Sequence, residues 1–188
     1  WFNPGDPILW WSPDPRMVLF PDAVHISRSL TKRLRHRNYE VRIDTAFDAV
    51  MRACAAPRLH ENGSTSGTWI SSDMMDAYLR LHQHGYAHSV EIWKDGALVG
   101  GLYGVAIGRM FYGESMFSRM PDASKLALVH LCRQLQRWKF GMIDCQMETA
   151  HLASMGARPI PRSAFCTKLA GLIDLPCPAS PWCFDASD

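Results

Sequence analysis

The sequence predicts an α+β domain built on a mixed, mostly antiparallel sheet that is flanked by helices. Strand patterns at residues 88–93, 97–106 and 110–114 follow one another closely, as in an antiparallel meander. An amphipathic helix pattern over residues 122–138 comes next, and a strand pattern at 141–146 follows it. Because a helix between two strands favours a parallel crossover, the last strand is predicted to lie parallel to the strand before the helix.

Turns delimit these elements. Lys94-Asp95-Gly96 joins the first two strands as a hairpin turn, and Gly108 turns the chain into the third strand. Residues 115–121 are predicted to form a loop before the helix. The helix is predicted to bury one apolar face and to expose a polar one; the buried residues are Leu128, Leu131, Cys132, Leu135 and Trp138, and the exposed residues are Arg133, Gln134 and Arg137.

Further elements lie on both sides of this core. Those before it are a strand at 17–20, a helix at 27–37, a strand at 39–44, a helix at 45–55 and a helix from Ser71 or Ser72 to just before Gly85. Residues 57–68 are polar and contain Gly and Ser, which predicts a loop. After the core, helical segments are predicted at 148–155 and 163–172, and nothing is assigned to the Pro- and Cys-rich stretch after Pro176.

The composition is that of a globular protein with one main domain. The chain has 188 residues, of which 47% are hydrophobic and 20% are charged, so it can bury a sizeable core. Its apolar runs all fall short of the ~18 residues that a membrane-spanning helix needs. A secretory signal pattern is also not visible.

The cysteines and histidines do not predict a metal site. The six cysteines include no C-x-x-C pair, which argues against a zinc ribbon, and free thiols are expected. His82, His84 and His88 are close in sequence. However, His82 and His84 lie two residues apart on a predicted helix and would not face each other, so we expect no bound metal.

A basic run occupies the predicted helix at 27–37. It contains five Lys or Arg residues and no acidic residue, while Leu30 and Leu34 form a thin apolar stripe. The basic side chains therefore point to solvent. They form either an ordinary solvated helix face or a surface that contacts a phosphate backbone, and the absence of acids favours nucleic acid.

Two strand ends carry polar groups. Glu114 ends one strand, and Asp144 and Gln146 share a face of another because side chains alternate along a strand. These groups would make a pocket with acidic and apolar walls. The alternative is that Glu114 and Asp144 form structural ion pairs with Arg119 and Arg158.

The order of elements fits the GNAT-type acyltransferase fold, in which the strands flanking the helix splay apart and form a cleft. GNAT enzymes usually hold the coenzyme A pyrophosphate with a glycine-rich loop before the helix. Here residues 115–121 contain no glycine, and the helix begins at Asp122, whose charge disfavours a phosphate at that N-terminus. The pattern therefore favours acyl transfer from a donor other than coenzyme A.

Five ordered runs closely resemble the leucyl/phenylalanyl-tRNA–protein transferase family. They are Gly-Asp-Pro-Ile-Leu-Trp-Trp-Ser-Pro-Asp-Pro-Arg (residues 5–16), His-Ile-Ser-Arg-Ser (25–29), Gly-Thr-Trp-Ile (67–70), Gly-Glu-Ser-Met-Phe-Ser-Arg (113–119) and Ile-Asp-Cys-Gln (143–146). The resemblance covers the chain from Trp1 to about Arg162. The chain opens partway through a family motif, so we expect residues 1–15 to be the remnant of an N-terminal segment and residues 16–188 to be a GNAT-like transferase domain.

The resemblance implies an enzyme that moves Leu or Phe from a charged tRNA to the free α-amine of a protein beginning with Arg or Lys. Such a transfer marks the acceptor protein for degradation through the N-degron pathway. The donor ester is already activated, so no metal or other cofactor is implied. The enzyme is expected to be a cytoplasmic monomer that does not bind membranes.

The resemblance also implies the site residues. Asp144 and Gln146 are the catalytic pair, and Glu114 contacts the aminoacyl end; we hypothesise that Asp144 orients Gln146 and accepts or relays the proton of the acceptor. The positions for the aminoacyl group and the terminal adenosine are Trp1, Trp69, Phe111, Met116, Leu102, Leu131 and Leu135. Those for the tRNA backbone are Arg28, Lys32 and Arg35.

Two other functions stay open on the residues alone. The first is a coenzyme A-dependent N-acetyltransferase of the same fold. The second is a non-catalytic RNA-binding module that uses the basic helix, in case the shortened N-terminus inactivates the enzyme. Without the resemblance, the apolar pocket residues would be ordinary core, and Trp69 would be an apolar staple at a helix entry.

Overall fold

A computed structural model describes residues 11–59, 65–66 and 68–185 of the chain. Trp1 and the rest of residues 1–10 of the expected N-terminal remnant lie outside the described residues. The strands are β1 (Arg16–Leu19), β2 (Glu40–Ile43), β3 (Arg58–Leu59), β4 (Thr65–Ser66), β5 (Ala87–Lys94), β6 (Ala97–Ile107), β7 (Met110–Ser118), β8 (Met142–Gln146) and β9 (Arg158–Ile160). The helices are α1 (Arg28–His36), α2 (Phe47–Ala55), α3 (Ser72–Gln83), α4 (Ala123–Arg137), α5 (Ala150–Ser154) and α6 (Arg162–Ala170).

The main sheet has seven strands in the order β2-β5-β6-β7-β8-β1-β9. β7 and β8 pair in parallel, with α4 as the crossover, and the other pairs described in this sheet are antiparallel. The predicted mixed, mostly antiparallel sheet is therefore confirmed, as is the parallel strand after the long helix. The hairpin turn is also confirmed, because Asp95 and Gly96 have φ values of 51° and 76°, the positive values that a tight β-hairpin favours.

Helices cover both faces of the sheet. α1 and α4 pack on the first face, where Leu30 and Leu126 belong to the largest buried cluster. On the second face, α2 and α3 surround Tyr103, and α6 places Phe165 against Met110. Side chains alternate along β7 as the period of a strand requires, so Phe111 lies in the first-face core and Tyr112 packs on the second face.

The helix starts follow local capping chemistry. The Ser27 side chain accepts a hydrogen bond from the Leu30 amide at 3.3 Å, and the Ser71 side chain accepts one from the Met74 amide at the same distance. Both serines satisfy an amide that lacks a partner within its helix, as N-cap residues do. Among the described residues, we find no helix with the length and apolar character needed to span a bilayer.

The structure departs from the sequence analysis at several points. Residues 115–118 continue β7 instead of forming a loop, because they pair with residues 100–103 of β6. Gln134 is buried instead of exposed, because its side chain donates to Asp185 at 2.9 Å. The stretch after Pro176, to which the sequence assigned nothing, is anchored on the domain by Trp182, which is 3% exposed.

Candidate active site

The two central strands separate at the position of the predicted carboxylates. The parallel pairing of β7 with β8 ends at Tyr112 and Asp144. Beyond this point β7 continues along β6 to Ser118, and β8 continues along β1 to Gln146. We refer below to this point, where β7 and β8 stop pairing, as the strand notch.

Each strand carries an irregularity at the strand notch. Along β7, Gly113 and Ser115 pair with consecutive residues of β6, so Glu114 is the extra residue of a bulge. Along β8, Asp144 and Gln146 pair with consecutive residues of β1, so Cys145 is the extra residue there. Bulges bend a strand and redirect side chains, which gives a physical reason for the separation.

Asp144 is fully buried and firmly held. The Arg16 guanidinium donates to it twice, from Nε to Oδ1 at 2.9 Å and from Nη2 to Oδ2 at 2.6 Å. The backbone amide of Gln146 also donates to Asp144 Oδ1, at 3.0 Å. Arg16 in turn lies over the ring of Phe165, 5.0 Å from its centroid. This two-pronged pair fixes the orientation of the carboxylate.

Gln146 ends β8 in a left-handed conformation, with a φ of 57°. Its side-chain amide donates to the backbone oxygen of Asp144 at 3.3 Å. The Asp144 carboxylate therefore holds the backbone of Gln146 and not its side chain. Gln146 is half-buried, so its side chain is partly open to solvent.

Glu114 lies on the β7 side of the strand notch and is also half-buried. Burial raises the pKa of Glu114 to about 7, while a hydrogen bond with Tyr78 of α3 opposes that rise. The charge of Asp144 raises this pKa further, and the charge of Arg16 lowers it. The structure therefore brings Glu114 and Asp144 close enough for their charges to interact, as the sequence predicted.

The arginines that the sequence considered as ion-pair partners are engaged elsewhere. Arg119 donates to the backbone oxygen of Leu98 and lies over Phe117, and Arg158 lies over Phe20. Asp144 instead pairs with Arg16. The sequence signal for Arg16 was its position at the end of the run at residues 5–16, but nothing local in the sequence links it to Asp144.

Tyr78 and Tyr103 are two residues beside Glu114 that the sequence analysis did not assign to the site. Tyr78 packs edge-on against Tyr103, with ring centroids 5.3 Å apart. Burial raises the pKa of both phenols, and the charge of Glu114 adds to the rise in each. Both hydroxyls therefore stay protonated at neutral pH, and Tyr78 is available to donate to Glu114.

The predicted apolar positions form one group. Leu102, Phe111, Leu131 and Leu135 are all at most 3% exposed and share the first-face core, and Met116 packs against that core opposite Leu102. They lie on the sheet face opposite Tyr112 and Tyr78. The carboxylates lie on the other face, near the point where β7 and β8 stop pairing.

Trp69 is half-buried on the second face, in the cluster that contains Tyr78. It therefore lies on the same side of the sheet as Glu114. Trp1, its predicted counterpart, lies outside the described residues.

The basic side chains of α1 are exposed, as predicted. Arg28, Lys32 and Arg35 follow one face of the helix and line a surface depression together with Thr31 and His36. Arg33 points to a different side and pairs with Asp122 at 2.9 Å. The free basic face of α1 therefore has three cations at helical spacing.

The N-terminus of α4 offers little to a phosphate. Asp122 precedes the helix and carries a carboxylate that pairs with Arg33 and, at 3.2 Å, with Lys125. The Ser124 amide donates to the Ser118 hydroxyl at 2.8 Å, so one of the free amides of the first turn is already satisfied. In the part of the chain that the structure describes, no group of three or more His, Cys, Asp or Glu residues is placed to hold a metal ion.

Comparison with known proteins identifies the class to which this chain belongs. A protein named leucyl/phenylalanyl-tRNA–protein transferase from Thiobacillus denitrificans is 66% identical over 99% of this chain and 80% of its own length. A protein of the same name from Nitrosospira multiformis is 63% identical over 98% of this chain and 78% of its own length. The chain is therefore an aminoacyltransferase.

The family follows from a second comparison. The sequence profile described as leucyl/phenylalanyl-tRNA protein transferase matches residues 18–170. The chain belongs to this family. A solved structure, described as the structure of L-PGS from Bacillus licheniformis, aligns with 11% identity and a TM-score of 0.46 over 73% of this chain and 46% of its own, a likeness too slight to define the fold.

Proposed function

We propose that this chain transfers Leu or Phe from the 3′ ester of a charged tRNA to the free α-amine of a protein that begins with Arg or Lys, which marks that protein for degradation. The observation that carries the proposal is the strand notch. Glu114, Asp144 and Gln146 lie on the two strands near the point where their pairing ends, and the apolar cluster lies on the opposite face of the sheet.

The fold supports the same proposal. We infer that the domain is GNAT-like, because a meander leads through a crossover helix into a parallel strand and the two parallel strands then separate. The acidic start of α4, with the Ser124 amide already bonded, speaks against coenzyme A as the donor. An acyl group that arrives as a ribose ester needs no such phosphate site.

The reaction requires alignment and one proton acceptor. The acceptor ammonium must lose a proton before its nitrogen attacks the ester carbonyl. The C–O bond then breaks, and the departing 3′-oxygen takes up the second proton that the nitrogen releases, so the tRNA leaves with a free 3′-hydroxyl group. Near-attack alignment alone contributes ~7 kcal/mol or more to such bimolecular steps. The rigid Arg16–Asp144–Gln146 arrangement supplies that alignment, with the Gln146 side chain positioning the amine or the carbonyl.

The structure suggests a division of roles between the two carboxylates. Both oxygens of Asp144 already accept hydrogen bonds from Arg16, so Asp144 holds the site together. Glu114, with a pKa of about 7, is suited to take the proton, because general bases work best near the ambient pH. Its charge also attracts an Arg or Lys terminus.

The substrates divide between the two faces. The Leu or Phe side chain enters through the strand notch into the cluster of Phe111, Leu102, Leu131, Leu135 and Met116, which is apolar as a selective pocket requires. Trp69 stacks on the terminal adenosine, and α1 contacts the tRNA backbone. The proposal places the enzyme in the cytoplasm, where tRNA is charged, as a monomer.

The direct test mixes Phe-tRNA, the protein and a peptide that begins with Arg. We expect mass spectrometry to detect one Phe added at the peptide N-terminus. The matched controls are the same peptide with an acetylated N-terminus and one that begins with Gly, both of which should stay unmodified. Modification of the Gly peptide at the same rate, or none of the Arg peptide, would refute the proposal.

We expect the rate of transfer to depend on the protonation of Glu114. The ionised form accepts the proton, so kcat/KM should fall about tenfold per pH unit below a pKa of about 7 and level off above it. Tyr78→Phe removes a hydrogen bond that favours the ionised carboxylate, so the falling limb should move to higher pH.

The pH profile has two checks. Glu114→Gln should remove this limb and lower transfer across the range, while Tyr86→Phe, which alters an exposed tyrosine, should leave the profile unchanged. A limb that survives in Glu114→Gln would show that another group takes the proton.

The basic face of α1 should control tRNA affinity and its dependence on salt. Replacing Arg28, Lys32 and Arg35 with Gln should lower the slope of log K against log salt by about 2–3, because each phosphate contact contributes ~0.7–0.9. A matched triple variant of Arg52, Lys139 and Lys168, which are exposed outside α1, should bind tRNA as the unaltered protein does. Equal slopes for the two triple variants would exclude α1 as the tRNA surface.

A further inference from the structure

The C-terminal stretch at residues 180–185 packs on the first face of the sheet, beside the end of α4. Phe184 meets the edge of His130 with ring centroids 6.3 Å apart, and Asp185 binds Gln134. Trp182 lies deepest and is 3% exposed. It packs edge-on against Trp138 and Phe140 at centroid distances of 4.8 and 5.8 Å. The stretch is therefore an integral part of the first-face core.

A buried polar pair holds Trp182 in place. The Trp182 backbone amide donates to Asp44 Oδ2 at 3.0 Å, and the same oxygen lies 2.7 Å from His88 Nδ1. The second Asp44 oxygen accepts the Ser89 amide at 2.9 Å. The indole and the His88 ring are stacked, with centroids 3.6 Å apart and planes within 3° of parallel. The position of the indole is thus fixed both by its backbone and by its ring.

The fixed indole lies against Phe111, the aromatic residue of the proposed pocket. The ring centroids of Phe111 and Trp182 are 6.1 Å apart. On its other side, Phe111 lies over Gly104, where an added Cβ would come within 2.6 Å of the Phe111 ring. Gly104 itself pairs with His88 across the sheet. The Phe111 ring is therefore confined between the backbone of β6 and the indole.

We propose that Trp182 is a positioning residue that fixes the Phe111 ring and thereby sets the depth of the pocket for the Leu or Phe side chain. The inference rests on the proposed function, since it takes Phe111 as a wall of that pocket. It adds a residue of the C-terminal stretch, remote in sequence from the strand notch, to those that determine which amino acid is transferred.

Phe111 cannot retreat into the sheet, because the backbone of β6 is there, so the indole is the wall whose removal gives it room. A smaller residue at position 182 would let the ring move away from the pocket. The kcat/KM for Phe-tRNA, whose side chain is larger, would then rise more than the kcat/KM for Leu-tRNA.

The test compares kcat/KM for Phe-tRNA and Leu-tRNA in the full chain. Trp182→Ala should raise the ratio of Phe to Leu transfer by ~5–10-fold, within the range that hydrophobic pockets achieve for small differences in size. The change should appear in KM more than in kcat. Trp182→Phe, which keeps a ring on His88 and protects folding, should shift the ratio in the same direction by about a third as much on a logarithmic scale.

The matched control is Phe184→Leu, which alters an aromatic residue of the same stretch that contacts His130 rather than Phe111. A purely structural role would lower the amount of active enzyme and so reduce both transfers equally. Ratios that stay constant in both Trp182 variants, or that change equally in Phe184→Leu, overturn the inference. An unaltered protein that transfers neither amino acid overturns the proposed function, and the inference with it.

Discussion

Asp144→Asn is expected to lower the single-turnover rate of transfer by ~10²–10³-fold, because small misplacements of a reacting geometry cost about this much. The asparagine side chain offers one acceptor oxygen in place of two. Arg16 and the Gln146 amide both donate to this carboxylate, so one donor would meet an NH2 group and lose its partner. The orientation of Gln146 would change, and the negative charge that balances Arg16 would disappear.

Asp144→Asn should impair the chemical step and leave tRNA binding almost unchanged. The affinity for charged tRNA, measured by fluorescence anisotropy, should stay within about twofold, since α1 and Trp69 lie on other elements. Glu148→Gln serves as the control, because Glu148 is an exposed carboxylate close to Asp144 in sequence. If Asp144→Asn retained full turnover, Asp144 would be a structural ion-pair partner, which was the alternative considered from the sequence.

Local patterns were enough to predict most of the elements around the site. The alternation in β5 and β6, the turn at Asp95 and Gly96, and the apolar stripe of α4 each have a short-range physical cause, so the sheet and its parallel crossover could be derived from the sequence. The proximity of Glu114 and Asp144 was also predicted, although from a strand end at Glu114 that the structure replaces with a bulge inside β7.

What could not be predicted depends on contacts between distant parts of the chain. Arg16 and Asp144 are 128 residues apart, and no local pattern selects Arg16 over Arg119 or Arg158. The bulge at Glu114 depends on the pairing of β7 with β6, which the sequence does not show. Residues 115–118 were therefore predicted to form a loop. Trp182 lies in a Pro-rich stretch without periodicity, so its burial on His88 had no sequence signal.

The sequence predicts only part of the arrangement of the proposed site on two faces of the sheet. Period-two alternation places Phe111 and Tyr112 on opposite faces, so Phe111 and Glu114 should not have been expected to line one surface directly. The proposed site joins the two faces at the point where β7 and β8 stop pairing, at Tyr112 and Asp144. The separation depends on bulges in both strands, and bulges are set by partner strands rather than by the strand's own sequence.

Arg16→Met is expected to destabilise the folded chain by ~3–5 kcal/mol, the usual cost of leaving one member of a buried ion pair without its partner. The Asp144 side chain is 0% exposed, so water cannot replace the two donors that Arg16 supplies. The midpoint of urea denaturation should fall with an unchanged slope. Arg42→Met, which breaks an exposed pair with Glu40, should cost only ~0–1 kcal/mol.

A double variant distinguishes a role of Arg16 and Asp144 in stability from a role in transfer. Arg16→Met combined with Asp144→Asn removes both charges, so it should be more stable than Arg16→Met alone while still failing to transfer. Recovered stability without recovered activity would mean that folding does not require the Asp144 carboxylate. The ion pair would then serve the transfer reaction, because Arg16 holds that carboxylate in place. A double variant no more stable than Arg16→Met would instead show that Arg16 acts mainly through its packing on Phe165.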